Sequence, residues 1–123
     1  MESLNDRSDD AGAVNRPIAE IKAALFKALA HPARIRVLEL LVAGERSVSE
    51  IQPLIGLELS HLSQQLGVLR RAGLVTTRRD GASVIYSIRD QQLVELLAVA
   101  KRMLISALAE SEDLLAGLRA SAG

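Results

Sequence analysis

The residues best placed for chemistry are Ser60, His61, Ser63, Gln64, Gly67, Arg70 and Arg71, within the stretch Ser60–Val75. Serine and glutamine both donate and accept hydrogen bonds, which suits the edges of bases, and arginine suits guanine or phosphate. No acid occurs between Ser60 and Arg79. Leu59, Leu62, Leu66 and Leu69 recur at three- and four-residue steps, so they predict the buried stripe of one helix. On that helix Ser60, Gln64, Gly67 and Arg71 fall on the opposite face, with Ser63 and His61 beside them. Gly67 would let the helix approach a nucleic-acid backbone closely, and Gly73 predicts a left-handed C-terminal cap.

A hairpin is expected next. Leu74–Arg79 is rich in β-branched residues, and Asp80-Gly81 is a tight-turn dipeptide. Ala82–Ile88 alternates, with Val84, Tyr86 and Ile88 on one face. Arg78 and Arg79 stand beside the tip. A polar-faced helix followed by a basic-tipped hairpin is the layout of a winged helix, in which the helix enters a major groove and the wing touches the flanking backbone. Alone, the helix reads equally well as a surface helix packed on an ordinary hairpin; the two halves in this order favour DNA.

Other elements must hold that helix in place. Ser47-Val-Ser-Glu50 has the spacing of a capping box and opens a short helix carrying Val48, Ile51, Leu54 and Ile55, with Pro53 inside and Gly56 at its end. Pro32 suits the first turn of an earlier helix through Ile35, Leu38, Leu41 and Val42. Ile18, Ile21, Leu25 and Leu29 mark a first helix after Pro17. Leu93, Leu97, Ala100, Leu104 and Ala107 mark a last long helix, about residues 90 to 117. The fold class is mainly α with a small β-hairpin: about five helices plus a two-stranded wing.

The chain resembles the ArsR/SmtB family of winged-helix transcriptional repressors. Ala28–Leu38 resembles that family's opening signature, Ser60–Val75 its recognition helix, and Arg79–Gly81 through Tyr86 its wing. The likeness spans roughly residues 18 to 108. Glu58 departs from it, because the family usually caps the recognition helix there with serine, and glutamate caps poorly. The resemblance implies a dimer built by the first and last helices. The sequence adds that nothing later in the chain covers the last helix, so a symmetric partner is its natural cover. Interface residues would be Ile18, Ile21, Leu25, Leu93, Leu97, Ala100 and Leu104.

The family is known for metal sensing, and this sequence holds no cysteine. Ser47 and Ser49 align with its thiolate pair, and Asp90, Gln92, Met103 and Ser106 with its second site. Hydroxyls do not replace thiolates for soft ions, and the second set offers one hard ligand. No metal and no cofactor is therefore expected. His31 reads as a helix-start capping or packing residue, and His61 as a DNA contact.

Charge and length agree. The 123 residues have zero net charge, unevenly spread. Residues 1–15 hold four acids and one arginine, a net of −3; residues 60–89 hold five arginines and one aspartate, a net of +4. With 49% apolar residues but only Phe26 and Tyr86 as aromatics, the chain makes one aliphatic-cored domain, of the kind that often completes its core by dimerising. Residues 1–16 are expected as a disordered tail, 17–118 as the domain, and 119–123 as a flexible end. No apolar run reaches membrane-span length and no signal-peptide pattern opens the chain, so a cytoplasmic protein without a membrane partner is expected. No cysteine nucleophile, phosphate-binding glycine loop or histidine–carboxylate motif supports an enzyme. Ser60 and His61, being adjacent on a helix, point about 100° apart.

The expected function is a homodimeric, DNA-binding transcriptional repressor on double-stranded inverted-repeat DNA, with its effector unknown. Ser60, His61, Ser63 and Gln64 would read bases, and Arg70, Arg71, Arg78 and Arg79 would hold phosphates. Two readings stay open. One is a sensor of the same family with a nonstandard metal or small-molecule site. The other is a winged helix used for protein contact, for which Val68 on the outer face leaves room.

Overall fold

The computed structural model describes the backbone of residues 2–122 and the side chains of residues 16–121. Its elements run α1 (Glu2–Leu29), α2 (Pro32–Val42), β1 (Arg46–Ser47), α3 (Val48–Ile55), α4 (Leu59–Arg71), β2 (Val75–Asp80), β3 (Ser83–Ile88) and α5 (Gln91–Ala122). The helix α1 continues through the segment expected as a tail and contains Pro17. Side chains 1–15, part of that expected tail, lie outside the described residues, as does Gly123 at the expected flexible end.

Leu38, Ile51, Leu62, Leu66, Leu69 and Val37 are the largest fully buried side chains, so α2, α3 and α4 meet in one aliphatic core. Tyr86, Ile88, Leu96 and Leu97 pack against it from the sheet and α5. The starts of α2 and α3 follow their sequence signals. His31 precedes Pro32 and caps α2, its Nδ1 accepting from the Ala33 N–H at 3.1 Å. Ser47 and Glu50 form the expected capping box on α3: Ser47 Oγ accepts from the Glu50 N–H at 3.2 Å, and Glu50 Oε1 from the Ser47 N–H at 3.0 Å. At the far end of α4, Gly73 has φ 74° and the Gly73 and Leu74 amides donate to Arg70 and Leu69 carbonyls. That is the Schellman pattern, and it turns Leu74 back into the core.

Three arginines that charge counting assigns to no role close the other helix ends. Arg34 donates from Nε to the Ala28 carbonyl at 2.6 Å and from Nη2 to that of Lys27, at the end of α1. Arg46 Nε reaches the Leu40 carbonyl in α2, and Arg36 reaches the Leu54 and Ile55 carbonyls in α3. Helix C-termini leave carbonyls without intrahelical partners and carry partial negative charge, so a guanidinium satisfies both needs.

The sheet has three antiparallel strands in the order β1-β3-β2, one more than the two-stranded wing expected. Ser47 pairs with Ile85 and Arg46 with Tyr86, so the wing is tied to the start of α3. The hairpin turn is Gly81-Ala82, one residue later than Asp80-Gly81, because Asp80 still pairs with Ser83. Gly81 has φ 63° and no described non-glycine residue has positive φ, the sign pattern of a type II′ turn. Ile85, on the opposite face from Val84, Tyr86 and Ile88, is buried, while those three are half-buried, so both faces of β3 are partly covered.

Candidate nucleic-acid interface

Leu62, Leu66 and Leu69 hold α4 against the core. The expected fourth member of that stripe, Leu59, is 52% exposed, because it is the first helical residue and overhangs the end of the core. Glu58 occupies the N-cap position with extended backbone but forms no side-chain cap, in keeping with its poor capping chemistry. The inner edge of the helix is fixed by Gln65, whose Oε1 accepts from Arg34 Nη1 at 2.7 Å.

The outer face then carries Ser60, His61, Ser63, Gln64, Arg70 and Arg71, all exposed. Gly67 is half-buried, and its role differs from the one expected. A Cβ there would lie 3.0 Å from Arg71 Nη1, so the missing side chain makes room for the Arg71 guanidinium to fold back over the helix. The notch is filled from within the chain.

On the wing, Arg79 is exposed beside the turn. Arg78 is exposed too, but both its Nε and Nη2 donate to the carboxylate of Glu45, in the loop before β1. That guanidinium holds the Glu45 carboxyl below its ordinary range, chiefly through the hydrogen bond. Arg89, just after β3, reaches towards Gly73, 3.3 Å from where a Cβ would stand. It lies at the wing's base and was not among the expected contacts, since only its charge marks it in the sequence. Leu59, Ser49, Gln52 and Ser83 line a shallow depression of about 320 Å³ where α3, α4 and the wing meet.

A helix-turn-helix domain model matches residues 29–78, which span α2 to the middle of β2. The HTH-type transcriptional regulator Rv0081 of Mycobacterium tuberculosis is 55% identical over 107 residues, covering 86% of this chain and 94% of the relative. The crystal structure of Rv0081 superposes with a TM-score of 0.73 at 58% identity, over 76% of this chain and 95% of that one. A homodimeric winged helix-turn-helix DNA-binding domain from Mycobacterium bovis, described as a possible ArsR-family regulator, gives a TM-score of 0.68 at 32% identity, over 72% and 82% of the two chains. A biofilm growth-associated repressor of Agrobacterium fabrum is 39% identical over 92 residues, 72% of this chain and 79% of the relative. The chain belongs to the ArsR family of winged helix-turn-helix transcriptional regulators. It is a DNA-binding regulator by fold and kinship, not an enzyme.

The residues that by resemblance stand at the ArsR family's metal-ligand positions offer donors that do not fit a metal. Ser47 Oγ is engaged in the α3 cap and lies 2.9 Å from Ser49 Oγ. Asp90 caps α5, its Oδ1 accepting from the Gln92 N–H at 2.9 Å. Gln92, Met103 and Ser106 add an amide, a thioether and a hydroxyl, a set without a second hard anionic ligand.

The expected dimer residues fall into two groups. Leu93 is buried in the core of its own chain, and Leu25 and Leu97 are half-buried against it, so Leu93 is not available to a partner. Ile18, Ile21, Ala100 and Leu104 are exposed, with Leu104 at 65%. Met103, Ile105 and Leu108 extend that apolar exposure along α5. Among the described residues no helix is long and apolar enough to cross a membrane.

Proposed function

We propose that this ArsR-family protein is a homodimeric repressor that binds an inverted-repeat operator and does not use the family's usual metal sites. The observation that carries the reading is α4: Leu62, Leu66 and Leu69 bury one face, and the exposed face carries Ser60, His61, Ser63 and Gln64 at its start and Arg70 and Arg71 at its end. Placed in a major groove, its first turns bring Ser60, Ser63 and Gln64 to base edges, with His61 at the rim. Arg70, Arg71 and Arg79 are placed for phosphates. The α1 and α5 surfaces around Ile18, Ile21, Ala100 and Leu104, exposed in the single chain, supply the dimer seam; the homodimeric M. bovis relative supports a dimer as such. Two heads related by a two-fold axis then meet successive major grooves roughly 34 Å apart. The A. fabrum relative, named as a repressor, favours repression over activation.

DNA selected from a random pool and titrated at several ionic strengths tests this. A palindromic consensus is expected, with affinity falling steeply with salt. Gln64→Ala should weaken the selected site by roughly 1–3 kcal/mol and spare nonspecific DNA, whereas Arg79→Ala should weaken both. Equal affinity for selected and scrambled DNA would overturn the reading.

A further inference from the structure

Leu59 has no role in the core and none in the polar reading face, yet it stands at the first position of the recognition helix with half its surface exposed. On one side it lines the shallow depression where α3, α4 and the wing meet, which Val48 and Val84 share with polar Ser49, Gln52 and Ser83. Its neighbours on the helix, Ser60 and Ser63, are exposed. The N-terminal residues of a recognition helix are the ones that meet base edges. A leucine there makes no hydrogen bond, and the one base feature in the major groove that an alkyl group recognises is the thymine 5-methyl. We propose that Leu59 is a specificity-determining residue that packs on the 5-methyl of one thymine in each half-site. This rests on the operator-binding reading above.

Uracil lacks only the 5-methyl of thymine, so it isolates the contact. Each thymine of a selected operator is replaced in turn by uracil, and affinity is measured for the full-length protein and for Leu59→Ala. At one thymine per half-site the substitution should weaken the unmodified protein about fourfold, the factor set by ~0.8 kcal/mol per buried methyl-sized group. Leu59→Ala should bind both versions with the same reduced affinity, and Leu59→Met should keep the discrimination. Thermal melting checks that both variants fold. Selective operator binding with no thymine-to-uracil sensitivity overturns the proposal. So does a Leu59→Ala protein that retains the full sensitivity. Loss of all sequence selectivity in the unmodified protein overturns the operator reading itself, and this inference with it.

Discussion

Arg34→Ala separates arginines that hold the fold from arginines that hold DNA. Arg34 donates to the Ala28 and Lys27 carbonyls, closing α1, and to Gln65 Oε1 at 2.7 Å, fixing the inner edge of α4. Two of these bonds are part-buried and the Lys27 bond is exposed. Hydrogen bonds to charged groups contribute roughly 1.5–3 kcal/mol each when sheltered, and exposed ones little. Allowing for partial shelter and for water reaching the freed carbonyls, the substitution should cost about 2–3 kcal/mol. For a domain of this size that lowers Tm by roughly 8–12 °C, compared at one protein concentration because dimerisation couples to stability. Lysine reaches one acceptor and lacks the planar fork, so Arg34→Lys should recover only part of the loss.

The same argument fixes what must not change. With the protein kept folded at low temperature, the slope of log affinity against log salt should stay that of the unmodified protein, since Arg34 neutralises no phosphate. Arg79→Ala should behave oppositely: stability unchanged, slope reduced by about one per protomer. An Arg34→Ala protein within about 0.5 kcal/mol of the original stability, but with a shallower salt slope, would refute the assignment of Arg34 to helix closure.

Four further outcomes follow from particular contacts. Glu45→Gln frees Arg78 from its exposed ion pair, so DNA affinity should rise and the salt slope steepen by up to one per protomer; unchanged titration curves would show that phosphate already displaces Glu45 without cost. The Glu50 carboxyl is held below its ordinary value of 4.5, first by the Ser47 backbone N–H, so its stabilising effect is complete above that value and is lost as pH falls through the depressed one; Glu50→Ala should therefore flatten the acid limb of a stability–pH curve, and an unaltered limb would count against the capping box. Leu104→Glu should give monomers in light scattering and abolish operator binding, whereas a dimeric Leu104→Glu protein would move the seam to another face of α5. Zinc, nickel, cobalt, cadmium and arsenite should leave the operator complex intact, and a stoichiometric submicromolar site that weakens DNA binding, found by calorimetric titration, would overturn that expectation.

Periodicity was a sufficient guide wherever the core extended past both ends of a stripe. Leu62, Leu66 and Leu69 needed nothing more than their spacing. Leu59 continues the same spacing but lies at the helix start, past the end of the core, and a repeat carries no information about where its cover ends. Leu54 and Val42 fail in the same way at the ends of α3 and α2. On α5 the ambiguity is about which body does the covering: Leu93 and Leu104 share a stripe, but the first is buried by its own chain, while the second stays exposed among the described residues. The two-residue strand β1 was illegible because alternation needs more than two positions to be visible, and only its register with Tyr86 and Ile85 defines it. Capping chemistry, which depends on residues a few places apart, was legible at Ser47, His31 and Gly73.

Charge is where a sequence count and a structure differ most in meaning. Five arginines against one aspartate in residues 60–89 suggest a strongly positive DNA face. The structure pairs one of them, Arg78, with Glu45, an acid from outside that segment. It also commits Arg34, Arg36 and Arg46 to helix carbonyls, where they offer little to an approaching phosphate. Of the five arginines in residues 60–89, Arg70, Arg71, Arg79 and Arg89 remain exposed and outside the Glu45 pair, in a chain with zero net charge overall. Since phosphate contacts supply affinity without sequence information, a modest set of them keeps nonspecific binding weak. On the proposed reading, discrimination then falls to the first two turns of α4, where Leu59, Ser60, Ser63 and Gln64 carry no charge. On the proposed operator reading, site selection rests on base-edge and methyl contacts, and the Glu45–Arg78 pair removes from the wing a positive charge that would bind any duplex equally well.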